Sequence, residues 1–191
     1  MIKYRVLLDM DGVMFNTLGS WLNFYNLIFK KKINIEDVTD YGFSFLPKDE
    51  KEDLFSLVDC EGFFRYIEPI KNAPQIVEAI QSLGCEIYVV TCGMHGNAVP
   101  EKLASLEEHF PFLGRAQKYT IFSHRKDLIK GDILFDDNPR NLEQFAAAGG
   151  VTCAMDYKYN RDVITNYRVM DNDWIEFYNI VVNERNNKKY I

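Results

Sequence analysis

Apolar positions along this chain fall into two kinds of pattern, and the two alternate. Residues 4–8, 86–90, 119–122, 132–135 and 151–155 form short apolar runs rich in β-branched and aromatic side chains, each ending in a polar or glycine turn. Runs of that length predict strands buried on both faces. Between them the spacing becomes helical. Residues 72–83 open near a proline and bring Ile76, Val77, Ile80 and Leu83 to one face. Helices are also predicted over 101–110 and over 141–148, the latter turning Leu142, Phe145 and Ala146 inward and stopping at Gly149-Gly150. Buried strands alternating with amphipathic helices predict an α/β fold, an open parallel sheet with helices on both faces.

Residues 16–71 break the rhythm. They begin with Trp21, Leu22, Phe24, Tyr25, Leu27 and Ile28 at helical spacing and run into Lys30-Lys31-Lys32, a solvated helix end. A mixed segment and a short helix over 48–58 come next, and no buried strand is evident. The stretch reads as a small, mostly helical insertion standing over the sheet, which leaves 1–15 and 72–191 as the core. Residues 171–183, with Trp174, Ile175, Tyr178, Val181 and Val182, predict a closing helix. No internal repeat, low-complexity stretch or long linker is evident.

Composition narrows the function classes. A chain of 191 residues suits one domain with a modest insertion, and 47% hydrophobic against 26% charged residues excludes a disordered protein. The net charge of −6 argues against a bulk electrostatic grip on nucleic acid or on an anionic membrane. An anionic substrate must therefore be held locally, by a metal ion or a few placed lysines. Cys60, Cys85, Cys92 and Cys153 lack zinc-ligand spacing and read as small buried hydrophobes in a reducing compartment. The first apolar run stops at Asp9, so no export segment forms, and no apolar stretch approaches the roughly 18 residues of a membrane span. A soluble, cytoplasmic protein is expected.

Candidate chemistry sits at the ends of the predicted strands. The first delivers Asp9-Met10-Asp11-Gly12-Val13, and that over 132–135 runs into Asp136-Asp137-Asn138-Pro139. Open parallel sheets bind ligands at their carboxyl edge. If these two strand ends lie side by side, three or four carboxylates converge, and their repulsion calls for a divalent cation. Ligands that are all oxygen favour Mg²⁺. Asp132 begins its strand and, at about 3.3 Å per residue, sits roughly 13 Å from Asp136, so it is excluded. The Thr91 hydroxyl and the freed backbone N–H groups of the turn at Cys92-Gly93 suit phosphate oxygens. Lys126, ten residues before Asp136, is preferred over nearby Lys130 as the lysine balancing phosphate and carboxylate.

This order of motifs, D-x-D-G-V, a strand-end Thr, a Lys and then Asp-Asp, resembles the haloacid dehalogenase (HAD) superfamily of phosphotransferases, and the insertion after the first motif matches one of its cap types. Within it the chain is most similar to the 5'(3')-deoxyribonucleotidases. The likeness extends to Gly62-Phe63-Phe64 and Glu68-Pro69-Ile70 at the end of the insertion, but not to its body. The resemblance implies a Mg²⁺-dependent phosphomonoesterase acting on nucleoside monophosphates, with Asp9 as nucleophile and Asp11 as general acid and base. It implies Mg²⁺ on Asp9, the Asp11 carbonyl and Asp136, supported by Asp137, with phosphate held by Thr91, Cys92 and Lys126 and added charge from Lys102. Phe64 stands where the family places an aromatic against the base, with Phe15, Phe63 and Tyr66 as further candidates for that wall or for interior packing. Thr17 occupies a position where the family often has another aromatic. His95 is read as a solvated loop residue near the mouth of the site, and His109 and His124 carry no motif. The same chemistry on a sugar phosphate, and a non-catalytic phosphate-binding module, are the competing readings.

Overall fold

The structure is a computed structural model and describes residues 3–93 and 96–188. Six parallel strands form one sheet in the order β3-β2-β1-β4-β5-β6, where β1 is Arg5–Leu8, β2 Glu86–Thr91, β3 Thr120–Phe122, β4 Ile133–Asp136, β5 Val151–Met155 and β6 Tyr167–Val169. The five predicted strands are present within a residue or two of their expected limits. β6 has no counterpart among them: it has three residues at the edge of the sheet, two of them only half buried, so it leaves little periodic signal.

Side chains alternate across the pleat. Leu7, Val90 and Leu134 pack with Phe145 on one face. Val6, Leu8, Val89, Ile133 and Phe135 join the large cluster on the other. Helix α3 (Ala73–Ser82) supplies Val77 and Ile80 to that large cluster, α4 (Ala98–His109) supplies Leu106, and α6 (Trp174–Lys188) supplies Trp174, Phe177 and Val181. Helix α5 (Pro139–Ala147) carries Phe145, so both faces are covered. Helix α4 starts three residues before the expected Glu101, with Pro100 inside its first turn. Proline costs nothing there, because first-turn N–H groups lack an intrahelical acceptor anyway.

Between β1 and α3 the chain forms α1 (Thr17–Phe29), α2 (Lys48–Ser56) and short 3₁₀ turns, and no described residue of this excursion joins the sheet. Its Leu22, Tyr25, Val38, Phe43, Leu54 and Phe63 belong to the same apolar cluster as the sheet. The Asn16 side chain accepts from the Gly19 N–H to start α1, and Lys30, in the left-handed conformation at φ 52°, ends it. Trp21, Phe43 and Phe55 meet edge to face, with centroids 5.2–5.9 Å apart, and hold α1, the 38–46 loop and α2 together.

Register places the chemistry. Leu8 lies opposite Val89 on one side and Phe135 on the other. One step further, the Asp9 N–H donates to the Phe135 carbonyl at 2.9 Å, so Asp9 and Asp136 leave adjacent strands together. Asp132 is at the opposite edge, accepting the Arg5 N–H at 2.7 Å and pairing with Lys188. No helix of the described residues is long and apolar enough to cross a membrane.

Candidate active site

Two ionic groups form at the carboxyl edge of the sheet. In the first, oxygens of Asp9, Asp136 and Asp137 lie within 4.8 Å of one another, and all three residues are buried. Lys126, in a 3₁₀ turn after β3, puts its ammonium 2.6 Å from Asp9 Oδ1 and 2.7 Å from Asp136 Oδ2. Asp136 also accepts the Asn138 N–H at 2.8 Å and the Asn141 side chain at 3.1 and 3.2 Å. In the second group, Lys102 on α4 bonds Asp11, the Thr91 hydroxyl at 3.0 Å and the Cys92 carbonyl at 2.7 Å. Thr17 donates to Asp11 Oδ1 at 3.0 Å and Thr91 to its Oδ2 at 3.3 Å. Asp9 and Asp11, two residues apart, therefore face different cations.

Gly12 makes this arrangement possible. It adopts φ +72°, which side chains disfavour, and a Cβ there would stand 2.7 Å from Asp137 Oδ2. Any other residue would strain the turn and push Asp137 away.

The electrostatics are those of a site awaiting positive charge. Three carboxylates against one ammonium leave two negative charges uncompensated when all are ionised. Burial pushes Asp9 from its ordinary 3.8 up to about 7, with Asp136 and Asp11 adding to the rise and Lys126 opposing it. Asp137 is likewise raised well above the carboxylate range, first by burial, then by Asp9 and Asp136. Burial would lower Lys126, but Asp136 and Asp9 overcome it and hold the lysine charged. Asp137 Oδ1 is buried without a hydrogen-bond partner. An all-oxygen donor set with an orphaned carboxylate oxygen fits a hard divalent cation.

These shifts set a pH dependence for the metal-free protein. Between about 4 and 7 the folded state holds the Asp9 proton more tightly than the unfolded state, so this group's contribution favours folding at low pH and is lost as pH rises. Asp9→Asn should remove the effect. In EDTA, the stability of the variant relative to wild type should rise across that window by up to ~1.4 kcal/mol per pH unit. Urea denaturation at several pH values measures it, and a pH-independent difference would refute the elevated proton affinity.

Beside the acids, Thr17, Leu18, Trp21, Tyr41, Phe43 and Phe55 line an apolar cavity of about 140 Å³, whose lining also includes Asp11, Gly12, Asp137 and Tyr159. The structure brings Asp9, Asp11, Thr91, Cys92, Lys102, Lys126, Asp136 and Asp137 to one edge of the sheet and leaves Lys130 exposed. Asp137 stands in the carboxylate triad itself rather than behind it. Phe64 covers Lys102, its ring centroid 4.4 Å from the ammonium. Phe15 is not brought to the site. It is 1% exposed and packs against His109 and Phe110, because the turn after Gly12 tucks it beneath the chain. Phe63 meets Phe64 edge to face with centroids 4.9 Å apart and also packs on Trp21 and Phe24, whereas Tyr66 is 81% exposed. Cys85 and Cys153 are buried as expected, but Cys60 is exposed, and Cys92 is half buried with its thiol 3.1 Å from His124 Nδ1. His95 lies outside the described residues. Periodicity along the chain does not single out Asn141, Thr17, Tyr41 or Tyr159, whose roles depend on contacts across the fold.

Solved structures share this architecture. A HAD family hydrolase from Deinococcus radiodurans R1, crystallised with phosphate and sodium, superposes with a TM-score of 0.65 at 10% identity, covering 95% of this chain and 96% of its own. The Bacillus subtilis HAD-hydrolase YfnB, bound to magnesium, gives 0.58 at 16% identity over 95% and 99%. The chain thus has the HAD-like α/β fold, with a buried aspartate triad at its ligand-binding edge.

Within that class the family is specific. Residues 2–187 match the family described as 5' nucleotidase, deoxy (pyrimidine), cytosolic type C (NT5C), and the chain belongs to it. The 5'(3')-deoxyribonucleotidase of Clostridium acetobutylicum is 31% identical over 171 residues, 88% of this chain and 89% of that protein. The Bacillus subtilis 5'(3')-deoxyribonucleotidase is 27% identical over 181 residues, 92% and 98% of the two chains.

Proposed function

We propose that this protein is a Mg²⁺-dependent cytosolic nucleotidase that hydrolyses deoxyribonucleoside monophosphates through an aspartyl-phosphate on Asp9. The observation that carries the reading is the Asp9, Asp136 and Asp137 triad with the Lys126 ammonium inside it. Asp9, Asp136 and Asp137 would hold Mg²⁺, with the Asp11 carbonyl as a further candidate oxygen. When bound, the cation offsets repulsion between carboxylate and phosphate and stabilises charge on the transferring group.

The chain's own groups supply the remaining steps. Lys126 orients the Asp9 carboxylate, whose oxygen attacks phosphorus in line as the bond to the leaving oxygen breaks. Asp11 gives its proton to that oxygen, then takes one from the water that attacks phosphorus and frees Asp9. Lys102 and Thr17 fix where Asp11 points. Thr91, Cys92 and Lys126 receive phosphoryl oxygens, and residues 16–71 act as the cap that excludes water.

The apolar cavity beside Asp11 suits the base-bearing part of the leaving group. An engineered cavity of roughly 150 Å³ accepts one benzene ring, so a volume of about 140 Å³ matches a single-ring base. This favours a nucleotide over a sugar phosphate and moves the base contact from Phe64 toward Trp21, Tyr41, Phe43 and Phe55. Phe55→Ala is expected to raise KM for a pyrimidine deoxynucleoside monophosphate about tenfold, the equivalent of ~1.4 kcal/mol of lost contact, while sparing glycerol phosphate. Equal effects on both substrates would remove the cavity from substrate recognition. The reading as a whole is tested by phosphate release from deoxy- and ribonucleoside 5'- and 3'-monophosphates beside sugar phosphates. Release should favour nucleotides, stop in EDTA and return with Mg²⁺. Indifference to the base, or turnover in EDTA, would overturn it.

A further inference from the structure

The segment after β5 contributes no group to the chemistry above, yet three of its side chains reach the two acid-bearing turns. The Tyr157 hydroxyl donates to the Gly12 carbonyl at 2.9 Å. The Asn160 amide donates to the carbonyl oxygens of Asp137 at 2.7 Å and Met155 at 2.8 Å, while its own oxygen accepts from Arg168 at 2.7 Å. Between them, the Tyr159 hydroxyl donates to Asp137 Oδ2. Asp137 is thus held at its backbone by Asn160 and at one carboxylate oxygen by Tyr159.

Its other oxygen, Oδ1, is buried and has no donor. Leaving a buried acceptor unsatisfied is costly, more so for a charged group, so the pattern asks for a partner. Oδ1 of Asp137 keeps its lone pairs free of any donor, whereas both Asp136 oxygens already accept hydrogen bonds. The Tyr159 ring is itself fixed. It stacks on Tyr157 with centroids 5.2 Å apart and planes 6° from parallel, and the Tyr41 ring meets it edge-on at 5.6 Å. Tyr41 comes from the excursion between β1 and α3.

We propose that Tyr159 is a positioning residue for the divalent cation: its hydroxyl occupies Asp137 Oδ2 and so presents Oδ1 to the ion shared with Asp9 and Asp136. The inference rests on the reading that this triad binds Mg²⁺. It adds that a phenol shortly beyond the end of β5, clamped between Tyr157 and Tyr41, sets the affinity. Outer contacts of this kind typically account for about 10–100-fold in metal affinity.

The test is calorimetric titration of Mg²⁺ into the full chain without substrate, for wild type, Tyr159→Phe, Asp137→Asn and the double variant, with circular dichroism to establish folding. Tyr159→Phe removes one oxygen and keeps the ring. Its dissociation constant for Mg²⁺ should rise at least tenfold, and the same change made in Asp137→Asn protein should add less than threefold. Unchanged affinity in folded Tyr159→Phe, with wild type binding and Asp137→Asn impaired, overturns the role of Tyr159 and leaves the cation site standing. A comparable loss in the Asp137→Asn background also overturns it, since the effect would then not pass through Asp137. Failure of wild type to bind Mg²⁺, or full binding by Asp137→Asn, overturns both readings.

Discussion

Asp9→Asn protein is expected to release phosphate from a nucleoside monophosphate on the order of 10⁴-fold more slowly than wild type, as befits loss of a nucleophile. The substitution changes one oxygen to an amide nitrogen and keeps the shape of a buried side chain. Lys126 retains Asp136 at 2.7 Å, and Asp11 retains Lys102, Thr17 and Thr91. The loss is of a carboxylate able to form a bond to phosphorus. Phosphate release by a folded Asp9→Asn protein at more than about a tenth of the wild-type rate would place the nucleophile elsewhere, since a tenfold change is only ~1.4 kcal/mol of barrier.

The largest effect on stability is expected from Lys126→Met, which keeps the length of the side chain and removes its charge. Asp9 and Asp136 are then left buried without their counter-ion, a loss of about 3–5 kcal/mol when a buried pair is broken from one side. The sign with pH is fixed. A lysine whose proton affinity is raised contributes its full stabilisation below its ordinary 10.5, so the contribution is present throughout the neutral range. Lys126 lowers the proton affinity of Asp9, so in the variant Asp9 takes up its proton at higher pH than the wild-type value of about 7, and the deficit should shrink as pH falls toward that value. Urea denaturation in EDTA at mildly acidic and mildly alkaline pH measures both arms, and Mg²⁺ should recover part of the loss. Activity at saturating Mg²⁺ should also drop by about 10²–10³-fold, as for loss of one preorganised charge stabiliser. A deficit that grows on acidification would mean that the carboxylates do not depend on Lys126.

Together these outcomes define an electrostatic balance in which removing a negative charge from the metal-free protein stabilises it and removing the positive charge destabilises it. Phe64 stands apart from that balance. Its backbone N–H and that of Gly62 donate to Glu101 at 3.1 and 2.6 Å, and Ser105 donates to its carbonyl at 2.9 Å. Helix α4 therefore carries Lys102 into the site and, on adjacent turns, anchors the aromatic ring that covers it.

The sheet and its acids are legible in the chain because both are local. A run such as residues 133–135 can satisfy its backbone and bury its side chains only as an interior strand, and the residues after it must emerge at the carboxyl edge. That reasoning is enough to pair Asp9 with Asp136, exclude Asp132 and prefer Lys126. Strand β6 escapes it because three residues at a half-exposed edge carry almost no periodicity. The direction in which each side chain points is not local. Asp11 turns to Lys102 across 91 residues of sequence, Phe15 disappears beneath its turn against His109 and Phe110, and Tyr159 meets Asp137 from beyond another strand. These contacts depend on how helices and loops pack over the sheet edge, and no spacing along the chain encodes them. Sequence alone determined that carboxylates would gather at one edge of a parallel sheet. Only the tertiary structure decided which cation each carboxylate faces, which aromatics line the cavity, and which oxygen of Asp137 is left without a donor.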